Sequence, residues 1–88
     1  MVTREVVIVN PLGLHARAAA RFVRLASQFS CTVRVAKGAR ELDGKSILGL
    51  LLLGAARGTT IVIRTEGADA DAAADALAAL VADGFGES

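Results

Sequence analysis

The one histidine of the chain, His15, stands where an apolar, strand-like run, Val6-Val7-Ile8-Val9, gives way through Asn10-Pro11-Leu12-Gly13-Leu14 to an alanine-rich stretch of helical character. A helix start leaves its first backbone N–H groups without intrahelical acceptors and carries partial positive charge, which makes it a natural anion site. An imidazole at that point, with Arg17 two residues on, sets a nucleophile beside a phosphate cradle. The neutral ring can attack phosphorus, and the phosphoryl oxygens can then accept the N–H groups of Ala16 and Arg17. The planar guanidinium of Arg17 suits phosphate oxygens better than a lysine would. Helix dipole and guanidinium both disfavour the imidazolium, so the nucleophile is expected unprotonated near neutral pH. Without these neighbours His15 would read as a cap or a surface histidine. No metal site is expected, because there is no second histidine and the lone Cys31 lies across the predicted helix.

Three further features could meet a partner. Arg17, Arg21 and Arg24 share one helical stripe, which serves equally as a solvated face or as a docking surface. The run Ile47-Leu48-Gly49-Leu50-Leu51-Leu52-Leu53 cannot bury every side chain against one sheet, because helical spacing sends residues to all sides. Leu48, Leu51 and Leu52 are expected outward, with Ile47 at the edge and Leu50 and Leu53 inward, giving an apolar docking patch beside the basic stripe. Ser46, just before this run, is a natural helix N-cap next to Lys45, and a phosphate there would sit favourably at a helix start.

The elements that must position these residues follow from periodicity. A first strand is expected over Thr3 to Val9, stopped by Asn10-Pro11. A first helix over 16 to 29 buries Ala19, Phe22, Val23, Ala26 and Phe29, with His15 as its N-cap. Thr32 to Lys37 and Arg40 to Asp43 form a hairpin about Gly38-Ala39. A short helix runs from Ile47 to about Leu53, a fourth strand from Thr59 to Thr65, and a last helix from Asp69 to Ala82, with Gly84 at C′ and Phe85 docked back. The core face of the last helix is expected at Ala73, Leu77, Leu80 and Val81. The order βαββαβα makes an α+β fold, an open-faced sandwich: a four-stranded antiparallel sheet covered on one face by three helices. Helix one returns the chain across the sheet, so strands one and two run parallel. Strand four between them makes every neighbouring pair antiparallel, in the order 1-4-2-3.

Eighty-eight residues make a single domain, 1–88, and only 3% of them are aromatic, so the core must be built from Val, Ile, Leu and Ala. One cysteine cannot form an internal disulfide, and no basic leader with a small-residue cleavage site opens the chain, so the cytoplasm is the expected compartment. The longest charge-free apolar-rich run, from Ser46 up to Arg57, is too short to span a bilayer, which takes about 20 residues. The formal charge of +1 hides an asymmetry: residues 1–64 hold ten bases against three acids, and residues 65–88 hold six acids and no base. Such a field steers encounters with charged partners. A nucleic-acid-binding role lacks a stacking platform, since the three phenylalanines do not alternate on a strand. An acyl-transfer or metal-dependent enzyme would need a second catalytic group that the chain does not offer.

The segment Gly13-Leu14-His15-Ala16-Arg17, followed about thirty residues later by Gly44-Lys45-Ser46-Ile47-Leu48-Gly49-Leu50, resembles the histidine-containing phosphocarrier family, HPr, of the bacterial phosphotransferase system. The likeness runs through the closing Val81-Ala82-Asp83-Gly84-Phe85-Gly86-Glu87 and so covers nearly the whole chain. It implies the 1-4-2-3 sheet and a carrier, not an enzyme, without cofactor or metal. His15 would take a phosphoryl group at Nδ1 from enzyme I and pass it to an enzyme IIA protein or domain, with Arg17 as charge partner. Ser46 would be a regulatory site for an HPr kinase/phosphorylase. The partner surface would comprise Leu14, Arg21, Arg24, Ile47, Leu48, Leu51 and Leu52 on a monomer, with no nucleic acid or membrane involved. A regulatory relative that binds partners without carrying phosphate is the alternative, although such a protein could dispense with the histidine. One departure stands out: where the family usually has proline, this chain has Ala18. The change adds an N–H in the first helical turn and loosens the unfolded chain by about 0.4–1 kcal/mol.

Overall fold

The computed structural model describes residues 1–87. Its elements are β1 (Val2–Val7), α1 (Ala16–Ala26), β2 (Thr32–Lys37), β3 (Arg40–Asp43), α2 (Ile47–Leu53), β4 (Thr60–Glu66), α3 (Ala70–Ala82) and a closing turn, Gly84–Gly86. The sheet order is β1-β4-β2-β3, and each neighbouring pair is antiparallel. The expected topology therefore holds, with three helices on the sheet.

Alternation fixes which side of the sheet is covered. In β4, Ile61, Ile63 and Thr65 are buried, and in β2, Val33 and Val35 are buried. The four aliphatic residues among them meet Ala18, Ala19, Phe22 and Ala26 of α1, Leu50 and Leu53 of α2, and Ala73, Leu77 and Val81 of α3 in one apolar cluster. The opposite sheet face mixes charged and polar side chains with Val7, Val62 and Ala36. There Arg34 and Arg64 sit directly across from each other in the β2–β4 register, and both guanidinia bond to Glu41 of β3.

Several boundaries differ from the sequence-based expectation, for local reasons. β1 ends at Val7 and not Val9; Ile8 is fully buried and exchanges backbone hydrogen bonds with the Gly58-Thr59 loop. The first helix ends at Ala26 and not Phe29, because Gln28 and Phe29 donate to carbonyls three residues back, a tighter winding than the α-helix. Its inward face is wider than expected and takes in Ala18, while Val23 and Phe29 are half-buried at its margin. β4 is displaced by one residue, since Thr59 turns its N–H to Ala56.

Asp69 precedes α3 but does not cap it. Its carboxylate instead reaches across to accept the N–H groups of Ser30 (2.8 Å) and Cys31 (2.9 Å). It thereby stitches the α1–β2 connection to the start of the last helix.

The N–H of Ser30 is the main reason that the Asp69 carboxyl lies below its usual range; desolvation opposes this, and the N–H of Cys31 adds to it. A carboxyl whose pKa is lower folded than unfolded contributes stability that is complete above the unfolded value and is lost as pH falls through the folded one. Asp69→Asn should therefore be less stable than the parent at pH 7, and urea titrations should show the gap closing as pH falls from about 4. A gap independent of pH would mean that the carboxylate charge is not what these donors hold.

Candidate functional site

His15 is the N-cap of α1, with extended backbone, and its side chain accepts the Arg17 N–H. The loop before it leaves no room for a bulkier residue at position 13. Gly13 has φ +65°, and a Cβ there would lie 2.7 Å from the Ala55 carbonyl oxygen, to which Leu14 donates its N–H. The loop is thus pressed against the α2–β4 connection, and this sets the height of the imidazole above the helix start.

The two ring nitrogens have different partners. Nδ1 lies 3.3 Å from the Arg17 backbone nitrogen, which can only donate. Nε2 lies 2.8 Å from Oε2 of Glu87. With Nδ1 accepting and Nε2 facing a carboxylate, the network assigns the neutral ring its proton to Nε2 and its lone pair to Nδ1. The Nδ1 lone pair therefore points at the helix start, where it accepts the Arg17 N–H.

Glu87 was not singled out as a site residue from sequence; it belongs to the last residues of the chain, more than seventy positions from His15. Phe85 delivers it. Gly84 takes φ +64° after α3, Phe85 itself adopts φ +59° with its ring fully buried, and the Arg21 guanidinium binds the Phe85 carbonyl. The sequence signal was present in a phenylalanine between glycines, followed by an acid. Burial pushes the Glu87 carboxyl up, but hydrogen bonds from Asn10 and His15, with the charges of His15 and Arg17, outweigh it and hold the group below its ordinary value. Arg17 and Glu87 also share the walls of an open groove with Pro11, Leu12, Arg21 and Gly86.

Two expectations need correction. Leu14, placed on the partner surface from sequence, is only 6% exposed and belongs to the core. Arg21 is not a free member of a basic stripe, because Phe85 holds its guanidinium; Arg24 is exposed. Ala16 and Arg17 stand in the first turn as expected, but the Arg17 N–H is already bonded to Nδ1. It faces the very atom on which a phosphoryl group would arrive.

The second region is α2. Ser46 Oγ accepts the Gly49 N–H at 3.0 Å, and Gly54 closes the helix in the left-handed conformation. Lys37 Nζ binds the carbonyls of Leu53 and Gly54, where a cation suits the helix C-terminus. Ile47, Leu48, Leu51 and Leu52 are exposed, with Leu48 at 65%, while Leu50 and Leu53 are fully buried. Cys31 is buried, with its thiol pushed up chiefly by desolvation, and among the described residues no cluster of metal-ligating side chains occurs.

The comparisons with known proteins agree with this geometry. The family model for the PTS HPr component phosphorylation site matches residues 2–83. A phosphocarrier protein HPr of Cupriavidus necator is 45% identical over 99% of this chain and 98% of its own length. A phosphocarrier protein NPr of Shewanella violacea is 46% identical over 97% and 93%. The crystal structure of HPr-C-His from Thermoanaerobacter tengcongensis superposes with a TM-score of 0.96 at 40% identity, covering 100% of this chain and 99% of that one. Fold and site thus define a small phosphoryl-carrier module. The chain belongs to the HPr family and is a phosphocarrier of the phosphotransferase system.

The division of α2 into two faces has a measurable result. Leu50→Ala should lower unfolding free energy by about 2–5 kcal/mol, whereas Leu48→Ala should change it by no more than about 0.5 kcal/mol in urea melts. Equal losses would mean that α2 is rotated from the orientation described.

Proposed function

We propose that His15 is the phosphoryl-accepting residue, that enzyme I supplies the group and an enzyme IIA protein or domain receives it, and that the chain acts as a monomeric single-domain carrier in the cytoplasm. It is a transfer intermediate and not an enzyme. The observation that carries this reading is the division of labour on one ring: Nε2 hydrogen-bonded to Glu87, and Nδ1 at the start of α1. No helix among the described residues is long and apolar enough to cross a membrane, in keeping with the proposed compartment.

The Nδ1 lone pair attacks phosphorus, an N–P bond forms, and the bond from phosphorus to the donor breaks with its electron pair left on the donor. The ring keeps its Nε2 proton throughout, so the phosphorylated ring is formally cationic. The Glu87 carboxylate offsets that charge. The Ala16 and Arg17 N–H groups and the Arg17 guanidinium receive the phosphoryl oxygens, so the chain's contribution is positioning and electrostatics. Transfer onward reverses these steps, and a cationic ring is the better leaving group. A protein that only bound partners would have no use for a ring so oriented.

The exposed apolar face of α2, together with the exposed Arg24 of α1, is the proposed docking surface: Ile47, Leu48, Leu51 and Leu52 supply apolar contact and the base supplies steering. Ser46 is proposed as a regulatory position, with an HPr kinase/phosphorylase as its modifier, since a phosphate there would add negative charge beside that surface.

Incubation with phosphoenolpyruvate and enzyme I should give an acid-labile, base-stable adduct on His15, absent in His15→Ala; labelling of that variant at the parent level would rule His15 out. Arg17→Lys should fold normally and transfer more slowly, because a point charge replaces a planar fork. Leu48→Asp should weaken binding to enzyme I and to IIA by at least tenfold in titration calorimetry while leaving the unfolding midpoint close to the parent's. Unchanged affinity would move the docking surface elsewhere.

A further inference from the structure

Asn10 is 2% exposed, yet it is a polar residue in a chain whose core is otherwise almost wholly apolar. Its Nδ2 donates two hydrogen bonds, to the Gly13 carbonyl at 2.8 Å and to Oε1 of Glu87 at 3.0 Å. Its Oδ1 is buried and has no partner among the described residues. Burying a polar oxygen unpaired is unfavourable, and the amide cannot relieve it by turning over. The flipped amide would set Oδ1 against two oxygens, one of them on a carboxylate. The orphaned atom thus follows from aiming both N–H bonds of Nδ2 at Gly13 and Glu87.

From this arrangement we infer that Asn10 is a positioning residue for the carrier chemistry: it holds Glu87, and through Glu87 it fixes which nitrogen of His15 carries the proton. One end of the Glu87 carboxylate accepts from Asn10 and the other from His15 Nε2. Without the first bond the carboxylate could swing toward the Arg17 side of the groove it shares with that residue. The Nε2 proton would then lose its acceptor, and the tautomer with the lone pair on Nε2 would gain population. In that tautomer Nδ1 carries the proton and cannot attack phosphorus. Asn10 also shapes the loop, since the Gly13 N–H returns to the Asn10 carbonyl at 3.1 Å. The side chain braces the same loop through its own bond to the Gly13 carbonyl, so one amide group supports both the segment that carries the ring and the carboxylate that orients it.

The functional meaning of this inference rests on His15 being the carrier, but its physical content does not, and the test keeps the two apart. In 15N-labelled, unphosphorylated protein, two-bond 15N–1H spectra of the His15 ring report the ratio of Nε2–H to Nδ1–H tautomers. Asn10→Ala should lower that ratio about two- to tenfold, the size expected from losing one net hydrogen bond. Glu87→Ala should lower it at least as far. In the double variant the loss should equal that of Glu87→Ala alone, because residues acting through one another are non-additive. Asn10→Asp keeps the shape of the side chain and sets a second carboxylate against Glu87; it gives the same reading should the alanine variant not fold. A full Asn10 effect in the Glu87→Ala background, or no effect on the ratio in folded variants, would overturn the inference. A normal tautomer response in a protein that takes no phosphoryl group on His15 would instead refute the carrier reading and leave the positioning role standing.

Discussion

Small side chains at the helix–sheet interface are the constraint on which everything else rests. Ala18, Ala19 and Ala26 of α1 and Ala70, Ala73 and Ala74 of α3 are buried, with scarcely any surface left to solvent. With so little side-chain bulk between backbones, helices can lie close to the strands and to each other, and dense packing then fixes their relative height. The start of α1 and the end of α3 consequently finish side by side. Ala18 takes on a second meaning in this light. Whatever rigidity a proline would have lent the first helical turn, the alanine buries completely in the same layer.

The site is built from chain segments that are far apart in sequence and needs all of them. The Asn10–Leu14 loop supplies height, α1 supplies donors and a partial charge, and the closing turn brings the carboxylate. The turn is anchored by a buried phenylalanine with left-handed backbone, a conformation rare for a residue with a bulky side chain. Burial of the ring and the Arg21 bond to its carbonyl are what sustain it. Arg21 therefore ties the basic helix to the last turn of the chain while still lining the groove it shares with Arg17 and Glu87.

Much of this was legible in the sequence because the informative signals were local. His15 and Ser46 are N-caps, and cap residues announce themselves by type and place. The hairpin strands β2 and β3 have the limits that alternation and Gly38 imply, and α2 stops at Gly54, one of the two glycines, Gly54 and Gly58, that could end it. The 1-4-2-3 order rested partly on packing, because it makes every neighbouring pair antiparallel, and partly on the family resemblance. What stayed hidden depends on distance. Asp69 reads in sequence as the first residue of the last helix, and only the fold brings Ser30 and Cys31 close enough to claim its oxygens. Leu14 looks like part of an exposed loop, but its N–H bond to Ala55 draws it inward. Glu87 looks like a terminal solubilising acid, and nothing near it in sequence says which side chain it will meet.

The imidazole has one side committed to the protein and one side open to the helix start. With Nδ1 as the proposed acceptor, a carrier built this way has a single doorway. Whatever delivers its cargo must withdraw before the recipient can come in, since both need the same nitrogen and the same approach. Traffic through the molecule is then strictly by turns, and no assembly of donor, carrier and recipient can form around one ring. For such a go-between, lingering contact is a defect, because a visitor that stayed would keep the doorway shut against the next.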